Sequence, residues 1–468
     1  MMKRITWTQE KSSFYKYACR ISIPIAAQNL ISALVSSVDV IMLGYVSQDA
    51  LAASSLANQL QFILATLFYG LSSGVSIMVA QYWGKRDTKT IEQIMGLAFR
   101  FFFGLSVIFA TASFFFPGPI MAFFTNEPAL IELGTDYLRV VSVAYLFMGF
   151  SSFYLNTMRS MERVMLSTVT YFVSLCVNIT LNATFIFGLF GAPKLGLVGV
   201  AIGTAAARAV ETLICLVDNA LRRHPVHFHL RSVFGHYQLL MRDFIKLVSF
   251  STLNECIWGI GTAMYSVVIG HLGTEAVAAN SVASVIRNLT SVVCLGFANA
   301  TAIVLGKAMG QGALELAKTY SKRMLLLTFI SGVASGIIIL CGSPLLIGIM
   351  GRDLSATAHE YLRVMIVICS YYMIGMGLNT CWICGCFRAG GDMRFGFLLD
   401  IWAMWGWGVP MGFIAAFILK LPVEVVYFVL CTDEFIKMPI VIHHYRKMGW
   451  LKNITRSREE LDGAAGNG

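Results

Sequence analysis

The chain has 468 residues, 57% of them hydrophobic and 13% charged. Soluble domains run at about 45–50% apolar and about 25% charged, so the composition excludes an ordinary cytosolic enzyme, a disordered segment, a collagen and a disulfide scaffold. The formal net charge is +10, yet no basic run is interleaved with base-stacking aromatics, so nucleic acid is not an expected partner.

A membrane-crossing helix needs about 20 apolar residues. Apolar runs punctuated by charge, Gly or Pro give twelve candidates, lying within 21–46, 51–83, 93–117, 135–158, 165–190, 195–220, 244–271, 276–306, 322–349, 360–386, 394–418 and 423–445. The opening stretch, Met1 to Arg20, is polar and basic, and the run after it continues far past a short signal core, so the first helix is expected to act as its own insertion signal. Lys and Arg fill every other connection, among them Lys85, Arg86, Arg159, Arg163, Arg222, Arg223, Lys307, Lys318, Arg388, Arg394 and both termini. The alternate connections hold only Lys194, Arg352 and Lys420. That alternation predicts a multi-pass protein of the cell membrane with both termini cytoplasmic. The longest polar connection, 222–242, divides the expected N-lobe (1–221) from the C-lobe (243–446), and 447–468 forms a cytoplasmic tail.

The two halves resemble each other. Gly44-Tyr-Val-Ser-Gln-Asp-Ala-Leu-Ala-Ala-Ser-Ser-Leu-Ala57 aligns with Gly270-His-Leu-Gly-Thr-Glu-Ala-Val-Ala-Ala-Asn-Ser-Val-Ala283 at an offset of 226. At the same offset Gly70 meets Gly296 and Gly84 meets Gly310, and Tyr137-Leu-Arg-Val140 meets Tyr361-Leu-Arg-Val364 at 224. Six helices per half give both halves the same orientation, the parallel-repeat plan of secondary transporters.

A charge at the bilayer centre costs roughly 2.5–3.5 kcal/mol on insertion scales, so such residues are functional candidates. Asp39 lies in the first helix. Asn178 and Asn182 share a face of the fifth at i and i+4, and Thr204 lies in the sixth. Together they make an oxygen-rich set suited to a proton or a hard cation; the structural alternative is hydrogen bonding between helices. Glu255 lies in mid-span of the seventh helix, and its expected neighbours are Asp400, Asn379 and Tyr265. A desolvated Glu exchanges protons near neutral pH, and the rings of Trp258 and Tyr265 suit an organic cation. Arg208 with Glu211, and Asp433 and Glu434 with Lys437, read as structural pairings, while Arg287 has no evident partner in sequence. Pro24 removes a backbone bond from the first helix and permits a kink.

Other signals carry less. The 11 cysteines fall mostly in apolar runs and read as small hydrophobes. Cys381-x-x-Cys384-x-Cys386 has no His beside it, and His224-x-x-His227-x-His229 lies in a connection, so no metal site is expected. No phosphate-binding Gly-x-x-x-x-Gly-Lys motif is present in the sequence, which argues against ATP drive within this chain.

Val38-Asp39-x-x-Met42-x-Gly44, Ala80-Gln81-x-x-Gly84, Val177-Asn178-x-x-Leu181-Asn182 and the stretch from Pro193 through Gly199, Ala201 and Thr204 to Arg208 are similar to the multidrug and toxic compound extrusion family, in its bacterial NorM/DinF-like branch. Arg388-Ala-Gly-Gly-Asp392 is similar to the family's turn after the tenth helix, and the resemblance covers nearly the whole chain. It implies two six-helix bundles forming a V around a central cavity, and antiport of organic, often cationic, compounds against H⁺ or Na⁺. No cofactor and no obligate protein partner is expected, and because transport on this plan needs only one chain, a monomer in the bilayer is the expectation. It assigns the N-lobe ion site to Asp39, Asn178 and Thr204, with Asn182 standing where the family carries an acid. That departure favours H⁺ over Na⁺. Glu255 matches the family's acid in the seventh helix. The family's acid in the tenth is missing from Gly375-Met-Gly-Leu-Asn379, so Asp400 substitutes for it or Glu255 serves alone. The alternative is a lipid-linked oligosaccharide flippase of the wider superfamily, whose anionic substrates call for a basic cavity.

Overall fold

The computed structural model describes residues 7–44, 46–221, 224–350 and 354–465; the side chains of 7–12, 33–41, 44, 345, 346, 349, 350 and 462–465 lie outside that description. Among the described residues every regular element is helical, which bears out the expected all-α class. Nine helices there are long and apolar enough to cross a membrane.

The chain separates into two compact units. Unit 1 holds Met1–Ala26 and Leu253–Thr455, and unit 2 holds Ala27–Thr252 and Arg456–Gly468. Two long helices, α1 (Trp7–Gly44) and α9 (Gln238–Gly270), therefore give their N-terminal parts to one unit and their remainder to the other. Helix α1 runs unbroken through Pro24.

Unit 2 is built from α2 (Gln48–Lys85), α3 (Thr88–Phe115), α4 (Pro117–Phe124), α5 (Pro128–Ser160), α6 (Val164–Phe187), α7 (Gly196–Ala220) and the short α8 (Leu230–Val233). Its helix starts follow local chemistry. Ser47 accepts the N–H of Ala50 at 3.0 Å, and Asp87 accepts that of Thr90 at 3.2 Å, each satisfying a donor that the first turn leaves open. Helix α6 stops at Gly188, whose φ of +71° suits a residue without a Cβ. Helix α5 packs against α2, α3 and α7, and α6 packs against α7. Gly70 of α2 lets the α9 backbone come close: a Cβ there would sit 2.5 Å from the Cα of Thr252.

Unit 1 contains α10 (Thr274–Gly310), α11 (Leu314–Met350), α12 (Ala356–Thr380) and α13 (Met393–Asp400). It continues through α14 (Val409–Phe413), α15 (Val423–Leu430), α16 (Asp433–Ile436) and α17 (Met438–Arg446). The internal repeat is visible in the element starts. Helix α2 begins at Gln48 and α10 at Thr274; α3 begins at Thr88 and α11 at Leu314, both 226 residues apart. Gly296 repeats the role of Gly70, with a Cβ there reaching 2.9 Å from that of Ala26.

The last three spans read from the sequence are not plain α-helices. A π-helical stretch, Cys381–Phe387, extends α12, and two more, Ile401–Gly408 and Ile414–Ile418, flank α14. The segment 423–445 is divided into α15, α16 and α17, with a turn at Cys431 and Thr432 and Pro439 at the start of α17. Arg388–Asp392 closes its helix with Gly391 at φ +76°. There the N–H groups of Gly391 and Asp392 return to the carbonyls of Arg388 and Phe387 at 2.8 and 2.9 Å.

Beside that turn the indole of Trp450 is fully buried and stacks on Tyr445 with centroids 5.5 Å apart. A Cβ on Gly390 would fall 1.5 Å from the carbonyl oxygen of Trp450. Because that neighbour is backbone, Gly390→Ala is expected to cost about 3 kcal/mol. A lowered unfolding temperature, followed by size exclusion after heating, is the measurement.

Candidate functional site

Unit 2 brings together part of the expected N-lobe set. The amide of Asn182 donates to Oδ1 of Asn178 at 3.2 Å, and that of Asn178 donates to the hydroxyl of Thr204 at 3.5 Å. Gly203 of α7 makes this approach possible, since a Cβ there would meet Asn182 Oδ1 at 2.2 Å. Both asparagines are buried. The side chain of Asp39 lies outside the described residues. Nearby on α7, Glu211 accepts from Arg208 at 2.9 and 3.0 Å and from the hydroxyls of Ser174 and Ser151 at 2.7 and 3.2 Å. The expected i,i+3 pairing is thus made, and two hydroxyls complete it.

Unit 1 holds the larger assembly. Glu255 Oε1 accepts from Arg388 at 2.7 Å, and the two side chains are 14% and 6% exposed. The ammonium of Lys437 lies 2.9 Å from Glu434 Oε1 and 3.4 Å from Asp400 Oδ1. Asn379 donates to Glu434 Oε2 at 2.8 Å and to the Glu434 carbonyl. Asp433 takes the Tyr265 hydroxyl on Oδ2 at 3.0 Å and the Glu434 N–H on Oδ1 at 2.8 Å. Cys384 lies near Arg388, Glu255, Asp400 and Lys437. Four carboxylates therefore share one buried region with two ion-paired cations, Arg388 and Lys437, and Arg287 lies beside it against Tyr372.

The expected neighbours of Glu255 are in this region, though they do not bond to it directly. Asp400 influences Glu255 across space, whereas Asn379 and Tyr265 bond to Glu434 and Asp433. Trp258 is 43% exposed. Arg388 was missed: at the end of a run beside Gly390 and Gly391, it counts by position as one more loop cation. The structure buries it against Glu255. The sequence spacing pairs Asp433 and Glu434 only with Lys437. The Glu434–Lys437 pair is made, but Asp433 starts α16 and bonds to α9 instead.

Arg287 lies over the ring of Tyr372 at 5.9 Å. In the connection between α7 and α9, the N–H of His227 donates to Glu92 at 3.1 Å, and His229 Nδ1 lies 3.8 Å from the other oxygen. Burial, reinforced by Arg163, holds the His224 imidazole below its usual range.

The chain's matches to known proteins are consistent in kind. A family model described as MatE matches residues 24–184 and 251–414. A "Probable multidrug resistance protein YoeA" of Bacillus subtilis (strain 168) is 23% identical over 455 residues, covering 97% of this chain and 98% of that one. A "Probable multidrug resistance protein NorM" of Burkholderia pseudomallei (strain K96243) is 26% identical over 420 residues, covering 85% of each. A solved outward-facing structure of a multidrug resistance MATE family transporter of the MOP superfamily superposes with a TM-score of 0.85. It is 20% identical and covers 93% of this chain and 96% of the other.

Proposed function

This chain belongs to the MatE family, and from that premise we propose that it exports organic, often cationic, compounds across the cell membrane in exchange for protons. Family membership makes it a multi-pass membrane transporter and not an enzyme. Export of several drugs is what the names of its relatives state of those proteins. We carry that activity to this chain on one observation: the buried region of unit 1, where Glu255, Asp400, Asp433 and Glu434 outnumber Arg388, Lys437 and the nearby Arg287.

An excess of buried negative charge attracts a cation, and it is relieved when a carboxylate takes up a proton. In the proposed cycle Glu255 is loaded with a proton from outside. Neutral Glu255 loses its hold on Arg388, the local charge rises by one, and a bound organic cation is released. A proton and a cationic substrate then compete for the same charge, which is the differential affinity an exchanger requires. The Asn178–Asn182–Thr204 trio, with Asp39, is proposed as the second place where an ion acts. The Lys and Arg alternation supports cytoplasmic termini, and the plan requires one chain only.

Purified full-length protein in liposomes tests this with ethidium, under a pH gradient, a Na⁺ gradient, or neither. Uptake driven by the pH gradient alone is the expected result. Drive by Na⁺ alone overturns the proton assignment. No uptake under any gradient, from folded protein, overturns the exporter reading and turns attention to lipid-linked substrates.

A further inference from the structure

Among the described residues, three of the four carboxylates in the unit 1 region have a cation at bonding distance, and Asp433 does not. Glu255 has Arg388, while Asp400 and Glu434 share Lys437. Asp433, 2% exposed, accepts two hydrogen bonds, and both come from neutral donors. The groups around it come from several elements: Tyr265 of α9, Tyr372 and Asn379 of α12, Cys431 after α15, Glu434 of α16, Lys437 before α17, and Arg287 of α10, which reaches Tyr372 and Cys431. Asp400 of α13 joins through Lys437. Lys437 and Arg287 are the cations among them: the Lys437 ammonium is already held by two other carboxylates, and Arg287 lies over the ring of Tyr372.

Two further features of the region suit a group that gains and loses a proton. A phenol both donates and accepts. The Tyr265 hydroxyl can donate to the charged carboxylate, and after rotation it can accept from the neutral acid, so either state keeps a partner. Its place is kept open by Gly408, where a Cβ would lie 2.0 Å from the hydroxyl oxygen. Gly408 ends the π-helical stretch Ile401–Gly408, and Trp407 beside it donates to the hydroxyl of Thr432, the residue before Asp433, at 3.1 Å. Independently, the Asn379 side chain is 1% exposed, and its amide oxygen accepts from no described residue. An acceptor at that depth is suited to an O–H group entering the region.

We propose that Asp433 is a proton-carrying carboxylate of the transport cycle, seated by Tyr265 and Gly408 and distinct from Glu255. The step is a proton transfer: an aqueous hydronium gives up its proton, an O–H bond forms on Oδ2 of Asp433, and Tyr265 changes from donor to acceptor. Protonation lowers the excess negative charge of the region by one and leaves both ion-pair groups in place. The proposal rests on the proton-coupled reading above, and its first test does not depend on transport.

Infrared difference spectra of the full-length protein in lipid, titrated from alkaline to acidic pH, report neutral carboxyl groups directly. The expected result is a carboxyl band that is lost in Asp433→Asn and kept in Glu255→Gln. Tyr265→Phe removes the donor to the charged form and is expected to move the midpoint of that band to higher pH, by about tenfold in proton concentration. Carboxyl bands unchanged in Asp433→Asn overturn the proposal. If that variant does not fold, a midpoint unmoved in folded Tyr265→Phe overturns it equally. In liposomes Asp433→Asn is expected to lower pH-driven ethidium uptake about tenfold, with recovery in Asp433→Glu. Wild-type protein that fails to transport ethidium but retains the Asp433 band refutes the substrate reading and leaves this site standing.

Discussion

Glu255→Gln is expected to cost the folded protein about 3–5 kcal/mol and to end proton-driven export, and the two losses are separable. The stability loss comes from Arg388. Its guanidinium lies 2.7 Å from Glu255, and the two side chains are 6% and 14% exposed. Gln offers a neutral acceptor of nearly the same shape, so the packing survives while the charge that offsets the guanidinium does not. Removing one member of a buried pair is more damaging than replacing both. The double variant Glu255→Gln with Arg388→Met is therefore expected to recover most of the lost unfolding temperature. It is not expected to recover transport, because the group that takes the proton is still absent. Denaturant midpoints of the four proteins form a double-mutant cycle. A double variant no more stable than Glu255→Gln alone would refute the view that Arg388 carries the cost. Transport regained in the double variant would refute the coupling role of Glu255.

Much of this architecture was legible in the chain because it is written at long range. Apolar runs set the long helices. The offset of 226 placed the starts of α10 and α11 relative to α2 and α3. The candidate site was legible only by neighbourhood. Glu255, Asp400, Asn379 and Tyr265 do belong to one region of unit 1, but each bonds to a residue that hydropathy cannot single out. Arg388 is the clearest case. A topology count treats an Arg beside a Gly-Gly turn as solvated, whereas the π-helical stretch Cys381–Phe387 continues α12 up to Arg388, which is buried there. Helical spacing placed Glu434 opposite Lys437 correctly. It failed for Asp433, because the turn at Cys431 and Thr432 breaks the expected span, and Asp433 bonds to Tyr265, 168 residues away. Local breaks of this kind have no signature in an apolar run, and they decide which carboxylate meets which cation.

Lys437→Met should produce the largest pH-dependent change in the protein. The ammonium lies 2.9 Å from Glu434 and 3.4 Å from Asp400 and acts on Asp433 across space. Met fills much the same volume without charge, leaving three buried carboxylates that repel one another. Near neutral pH the expected cost is about 3–5 kcal/mol. Protonation of the cluster relieves it, so the folded variant holds more protons there than the unfolded chain does. Stability then falls as pH rises, because the slope of unfolding free energy against pH follows protons bound unfolded minus protons bound folded. The effect begins above about pH 4, where unfolded carboxylates lose their protons. The gap in denaturant midpoint between wild type and Lys437→Met is thus expected to widen from acidic to alkaline pH. Lys437→Arg, which keeps the charge, is expected to stay close to wild type. A gap of constant size would assign Lys437 to packing alone. For transport the same change makes the region more negative. A cationic substrate is then expected to bind more tightly and to require more acid outside for its release, so affinity rises while turnover falls. That opposite movement of two measured quantities separates a residue that sets the charge of the site from one that only supports the fold.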